Sequence, residues 1–360
     1  MTSLRPQHRF RAPAASRLLL AACGLAMVAV ACGSNRTTPA PVGQGLWVPN
    51  LTGSITEFTG LAFAVSGTPT PNVTNLSPDL DEPVGTAFDN SENLWVSNFG
   101  SGTLTEFTLA QLKVLATTDN PAANVIISGL YEPRGVGFDA SGNLWAANFL
   151  TSTLVEFMPS QLGASDSQPP HSTIASIDLS EPAGLAFDKS GGLWVANELS
   201  NTVTLFAASQ LAAGGNQTPT VILSSNETGS IERPRGIAFD SVGNLWVANY
   251  THQASPLGTV VEFAATDLDT SGSPNPALII SSTTVNATNS LDGPRGVACD
   301  HRGNLWVGNF FSDQFGSLAK FAKDQIASSG GPIPKIFLDS NTAGTNINEP
   351  ELMSFGPSIR

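Results

Sequence analysis

"RPRGIAFDSVGNLWVANY", residues 233–250, holds in eighteen positions most of what this chain repeats. A Pro-Gly start, a short apolar run, an Asp-to-Gly-Asn turn and a Trp-centred apolar run ending on Asn follow one another. The same phrase returns as "EPVGTAFDNSENLWV" from 82, "EPRGVGFDASGNLWA" from 132, "EPAGLAFDKSGGLWV" from 181 and "GPRGVACDHRGNLWV" from 293. Its prolines, Pro83, Pro133, Pro182, Pro234 and Pro294, are spaced by 50, 49, 52 and 60 residues. All six tryptophans, Trp47, Trp95, Trp145, Trp194, Trp246 and Trp306, sit at one point of the phrase. A period this regular overrides the two-domain prior that 360 residues would otherwise suggest.

Each unit reads as four short strands. "GIAFD" is a first strand, the polar "DSVGN" suits a tight hairpin, and "LWVAN" is the second strand. "TVVEF" or "TLVEF" makes a third, and "TVILSS" or "NVIIS" a fourth after a Pro-bearing loop. Four-stranded units repeated radially form a β-propeller. The chain closes on "EPELMSFG", residues 349–356, a first strand with no Trp strand after it. It begins its repeats at 45–58 with "GLWVPNLTGSITEF", a Trp strand with no first strand before it. Joined, the two ends complete a sixth blade, so the expected fold is all-β, a six-bladed propeller over residues 45–360 closed by its termini. One large aromatic per blade then fills each gap between neighbouring sheets, at roughly 150–250 Å² of buried surface apiece.

The N-terminus has another logic. Arg5, Arg9, Arg11 and Arg17 precede "LLLAACGLAMVAVAC", an apolar run too short to span a bilayer comfortably. Residues 1–31 are read as an export signal, and Cys32 after Ala31 as the acylated first residue of a bacterial lipoprotein. Ordinary cleavage to a soluble secreted protein and a retained anchor are the alternatives, and all three place the body outside the cytoplasm. Residues 32–44, small, polar and Pro-bearing, would be a flexible tether. Losing the signal removes four arginines and no acids, so 16 basic residues against 29 acidic ones become 12 against 29, a net charge of −17. That surface repels phosphate backbones, and nucleic acid is not an expected partner. A monomer is expected. Cys299, alone in the body, takes a slot that Phe fills in the other units.

The pattern "PxGhAhDxxGNLWVAN" followed by a "T..EF" strand resembles the NHL repeat and its six-bladed bacterial relatives, among them streptogramin lyases and the gluconolactonase-like group. The resemblance runs from 45 to 356. It implies that the Pro-Gly strand is innermost, so the acids just before it, Glu82, Glu132, Glu181, Glu232, Asp292 and Glu349, would ring a channel mouth, with Glu232 and Asp292 displaced by one position. Two carboxylates about 8 Å apart repel by roughly 2 kcal/mol at an effective dielectric of 20, so the ring calls for counter-charge. Arg134, Arg235 and Arg295, each close in sequence to an acid, can supply it, and a Ca2+ or Mg2+ ion would do so too. Asn98, Asn148, Asn197, Asn249 and Asn309, with Asn50 in the composite blade, end the Trp strand on the same face and are either turn formers or polar lining.

Two functions follow, besides that of a purely structural envelope protein. The first is a membrane-tethered binding scaffold, without catalysis, taking a protein, polymer or small polar ligand at the channel face. The alternative is a metal-dependent lyase or lactone hydrolase of the kind the resemblance implies. Streptogramin lyases imply a His and a Glu acting as acid and base; here His252, in the loop "THQASPLG", with a Glu such as Glu181 would have to serve, although the lyase motif is not reproduced residue by residue. No nucleophile elbow, phosphate loop or Cys/His zinc spacing occurs in the sequence.

Overall fold

The computed structural model describes residues 44–60, 66–67, 70–114, 120–165, 169–251, 258–285, 288–310, 316–339 and 347–358. Six small antiparallel sheets stand in a ring, as the repeat predicts. The first internal blade has strands Pro83–Phe88, Leu94–Asn98, Thr103–Phe107 and Val125–Ser128. The second has Pro133–Phe138, Leu144–Asn148, Thr153–Phe157 and Ser172–Ala175. The third has Pro182–Phe187, Leu193–Asn197, Thr202–Phe206 and Val221–Ser224. The fourth has Pro234–Phe239, Leu245–Asn249, Thr259–Phe263 and Leu278–Ser281. The fifth has Pro294–Cys299, Leu305–Asn309, Ser317–Phe321 and Ile336–Asp339.

The sixth blade is stitched from both ends. Ser354–Pro357 pairs with Gln44–Asn50, which pairs in turn with Ser54–Phe58 and Val73–Asn75. Trp47 lies opposite Ser354, and Asn50 bridges to Pro350. The Trp47 indole N–H donates to the Pro357 carbonyl at 3.3 Å.

Every Trp is buried, and each packs on the following blade. Trp47 meets Phe88 edge-on at 5.7 Å between ring centres, Trp95 meets Phe138 at 6.4 Å and Trp194 meets Phe239 at 6.1 Å. Such T-shaped pairs add about 0.5–1.5 kcal/mol to the burial itself. Cys299 replaces that Phe in the fifth blade and packs at the edge of the core around Trp246. Burial, with Asp240, Asp300 and Glu262 nearby, pushes its thiol well above the usual value.

The first strands close on one another at the glycine after each Pro-X pair. A Cβ added to Gly184 would lie 2.2 Å from the Arg235 carbonyl oxygen of the next blade, and one on Gly135 2.3 Å from that of Ala183. Only a residue without a side chain permits that approach. The composite blade has Leu352 at this level, its N–H donating to the Val84 carbonyl at 2.9 Å. The waist so formed is walled by Val136, Leu185, Ile237, Val297 and Met353 and encloses only about 20 Å³. That is room for about one water.

Around the outside, the segment before each fourth strand reaches back to the outermost strand of the preceding blade. Ser271 Oγ accepts the Ile222 N–H and Gly272 N–H donates to the Ile222 carbonyl, both at 3.0 Å. Ser329 with Gly330 treats Ile279 in the same way, and Ser66 with Gly67 treats Phe337. Ser165 Oγ accepts from Ile126, and Gly215–Asn216 runs parallel to Ile174 and Ala175 as a fifth strand of the second blade.

Candidate functional site

The face on which the Pro strands begin is built from a six-fold bracket. The residue before each proline, Glu82, Glu132, Glu181, Arg233, Gly293 or Glu349, holds a left-handed backbone with φ between 43° and 61°. Its carbonyl accepts the N–H of the residue after the strand-ending Asn: Phe99 to Glu82 at 3.0 Å, Glu198 to Glu181 at 3.1 Å, Tyr250 to Arg233 at 3.2 Å. For the non-glycine residues this conformation costs on the order of 1–3 kcal/mol each, and the bracket is what imposes it.

The asparagines are the other half of the bracket. Asn98, Asn148, Asn197, Asn249, Asn309 and Asn50 are buried. Each Oδ1 accepts the backbone N–H two residues before the proline, from Asp81, Tyr131, Ser180, Glu232, Asp292 and Asn348 respectively. The amide N–H groups go to strand hydroxyls and carbonyls, as from Asn197 to Thr204 Oγ1 at 3.1 Å and from Asn249 to the Ser230 carbonyl. They form the frame of the mouth and do not line it. Glu232 and Asp292 are displaced, as the sequence indicates, because Arg233 and Gly293 take the left-handed place. Glu82 and Glu232 are exposed, while Glu132, Glu181, Asp292 and Glu349 are half-buried.

Inside this outer layer lies a second one. It consists of the residue after each proline, Val84, Arg134, Ala183, Arg235, Arg295 and Glu351, and the residue after each Asn, Leu51, Phe99, Phe149, Glu198, Tyr250 and Phe310. Glu198 is 2% exposed at its side chain and receives Arg134 at 3.1 Å, Arg235 at 2.9 Å and Arg233 at 2.6 Å. Glu351 pairs with Arg295 and lies 4.0 Å from Arg235. The guanidinium of Arg134 stacks 3.7 Å from the Phe149 ring centre, that of Arg295 3.2 Å from Phe310, and that of Arg235 4.4 Å from Tyr250. The arginines thus pair with carboxylates distant from them in sequence. They reach across the axis to two carboxylates that the repeat pattern leaves unremarked.

Burial, then the neighbouring Arg235, lowers the Arg134 guanidinium to about 10. Burial opposes ionisation of Glu198, but Arg235 and Arg134 outweigh it and hold the carboxyl below its ordinary value. Burial raises Glu349, against the pull of Arg295. Three buried guanidiniums face two buried carboxylates, and the Nε–H groups of Arg134, Arg235 and Arg295 are buried with no hydrogen-bond partner among the described residues. His252 lies outside the described residues, as do the signal segment and Cys32. Among the described residues no group of three or more His, Cys, Asp or Glu side chains is placed to hold an ion.

The opposite face carries the hairpins. Asp139 Oδ1 accepts from Ser141 and Asn143 N–H, and Oδ2 from the Asn143 amide and the Trp145 indole. Opposite the tryptophans, Glu106, Glu156 and Glu262 are buried, and burial raises all three. For Glu262 the sign is clear. A carboxyl raised in the folded state helps stability most below its unfolded value, and the gain disappears as pH rises through the folded value. Glu262→Gln, which keeps an acceptor for the Asn244 amide (2.6 Å), is therefore expected to raise Tm at pH about 7 and to change it little at pH about 3.5. Thermal melts at the two pH values check this.

No family model matches the chain, and no curated relative does. Solved structures do. A protein of unknown function from Bacteroides caccae aligns at 11% identity and a TM-score of 0.58, over 87% of this chain and 99% of that one. A chain of a nidogen/laminin complex aligns at 12% and 0.57, over 88% and 99%. The chain is a six-bladed β-propeller. Virginiamycin B lyase from Staphylococcus aureus is also similar in fold, at 12% identity and a TM-score of 0.48 over 82% and 84%. At these identities the likeness is one of fold, and function has to be argued from the site.

Proposed function

We propose that this propeller is a non-catalytic binding protein, held outside the cytoplasm by a lipid on Cys32, which receives an anionic group of a protein, polymer or small polar ligand in its proline-face mouth. One observation carries the reading: buried guanidiniums outnumber buried carboxylates three to two, with each Nε–H still unspent. Stacking on Phe149, Tyr250 and Phe310 holds the guanidinium planes in place, and planar forks suit carboxylate or phosphate oxygens. The outer carboxylates of Glu82, Glu132, Glu181 and Glu349 add selectivity, because a bare polyanion must pass them whereas a ligand that also carries donors gains from them.

Calorimetric titration with citrate, inorganic phosphate and oligogalacturonate tests the reading and separates carboxylate from phosphate ligands. Uptake by the wild type, reduced at least tenfold in Arg134→Gln at a Tm that confirms folding, is the expected result. No uptake of any of the three removes the reading. Uptake of Ca2+ or Mg2+ that disappears in Glu82→Gln with Glu181→Gln would instead favour the metal-dependent lyase or hydrolase. Labelled palmitate incorporated by the wild type and absent in Cys32→Ala tests the tether.

A further inference from the structure

On the hairpin face, between the third and fourth blades, is a cavity of about 580 Å³. Its origin lies in two departures from the repeat. In the fourth blade the Asn244 amide donates to Asp240 Oδ2 at 3.0 Å and to Glu262 at 2.6 Å, while its carbonyl accepts the Ala265 N–H. These side chains fill the space under the hairpin. The third blade has Gly192 where the other internal blades have Asn, and Leu205 where three of them have Glu. With no amide and no carboxylate there, the space stays open and its walls are apolar: Phe187, Trp194 and Leu205 from one blade, Phe239 and Leu268 from the next.

The same exchange releases an acceptor. In the first, second, fourth and fifth blades the second oxygen of the hairpin Asp takes an Asn side-chain N–H at 2.9, 2.8, 3.0 and 2.7 Å. Asp188 keeps its turn, with Oδ1 accepting from Ser190 and Gly192, but among the described residues its Oδ2 receives only the Trp194 indole N–H, at 3.0 Å. A half-buried carboxylate oxygen short of one donor thus borders an aromatic cavity whose volume suits a small molecule.

We propose that this cavity is a second ligand site, separate from the proline-face mouth, for a small amphipathic molecule: a ring or chain of apolar atoms bearing one amine or ammonium group. The apolar part occupies the space between Phe187, Trp194 and Phe239, and its N–H donates to Asp188 Oδ2, taking the role that Asn plays in the neighbouring blades.

The test uses two fluorescent probes with one apolar part and opposite charge, monodansylcadaverine and dansylglycine, on the wild type and on Gly192→Asn with Leu205→Glu. That double variant rewrites the third blade in the terms of the fourth. It removes the Leu205 methyl that an added Cβ at position 192 would meet at 2.7 Å and leaves the contact with Asp188 Oδ2 at 2.8 Å, which a small rotation of that carboxylate relieves; a melt checks that the fold is kept. Monodansylcadaverine is expected to bind the wild type at one site with blue-shifted emission, and the double variant at least tenfold more weakly, although the variant carries one more negative charge. Only signal that the variant removes reports on this cavity, because the opposite face receives carboxylates. Cadaverine binding that survives the double variant, or no binding by the wild type, overturns the proposal. Variant-sensitive binding of dansylglycine equal to that of the amine overturns the assignment to Asp188.

Discussion

Deletion of residues 349–360 is expected to abolish cooperative thermal unfolding, a loss of about 5 kcal/mol or more, comparable to the whole stability of an ordinary domain. The segment supplies a disproportionate share of what makes the ring continuous. It holds Glu349 and Pro350 of the sixth bracket, the Glu351 carboxylate facing Arg295, and Leu352, which closes the waist against Val84. It also brings Met353 into the core with Trp306, and the strand that covers Gln44–Trp47. Without it Trp47 loses one neighbour and the first and fifth blades face a gap. Circular dichroism melts of the shortened chain, with and without a synthetic peptide of residues 347–360, give the readout. Recovery of a sharp transition on adding the peptide is the expected outcome. A shortened chain that melts sharply within a few degrees of the full one would show that the composite blade does not clasp the ring.

Removing Glu198 should cost nearly as much. Its carboxylate is the common partner of Arg134, Arg233 and Arg235, and it is almost wholly buried. Glu198→Ala leaves two buried guanidiniums beside Arg295 with a single carboxylate, Glu351, among them. Breaking a buried pair by deleting one partner typically costs about 3–5 kcal/mol. The vacated place has the size and charge of a small carboxylate, so formate or acetate should restore part of the lost Tm where chloride at equal ionic strength does not. Glu198→Phe, which returns the position to the aromatic character of Phe149 and Phe310, should gain packing but keep the electrostatic deficit and show no such rescue. Equal melting of Glu198→Ala and the wild type would mean that the arginines find other partners, and the charge count behind the anionic ligand would no longer stand.

The parts of the molecule legible in the sequence are those that each blade repeats. Trp47 to Trp306, the prolines, the hairpin aspartates and the strand-ending asparagines answer demands that recur six times, or five, and a demand met repeatedly leaves a period. The closure of the ring could be read because the two ends are complementary fragments of one unit. The inner layer of the mouth is different in kind. Arg134 and Glu198 are 64 residues apart and Arg295 and Glu351 56 apart, and they meet because corresponding positions of different blades converge on one axis. Reading each arginine against the nearest acid in sequence assigns Arg134 to Glu132, although the neighbour of Arg134 across the axis is the residue after Asn197. The available signal is departure from the pattern: Glu198 stands where the internal repeats otherwise have Phe or Tyr, and Glu351 where they have Arg, Val or Ala. Gly192 and Leu205 are departures of the same sort. In a repeated fold the common letters describe the scaffold, and the exceptions mark where its symmetry has been given up for some other purpose.

The serine and glycine pairs that reach back to three of the preceding blades have a consequence for recognition. Outer strands such as Leu278–Ser281 and Val221–Ser224 have backbone groups that are already engaged by Ser329, Gly330, Ser271 and Gly272. A partner that works by zipping its own extended chain onto a naked sheet margin finds little purchase there. Visitors to this protein are thereby steered toward its two poles, and neighbouring copies are denied a common way of knitting into aggregates.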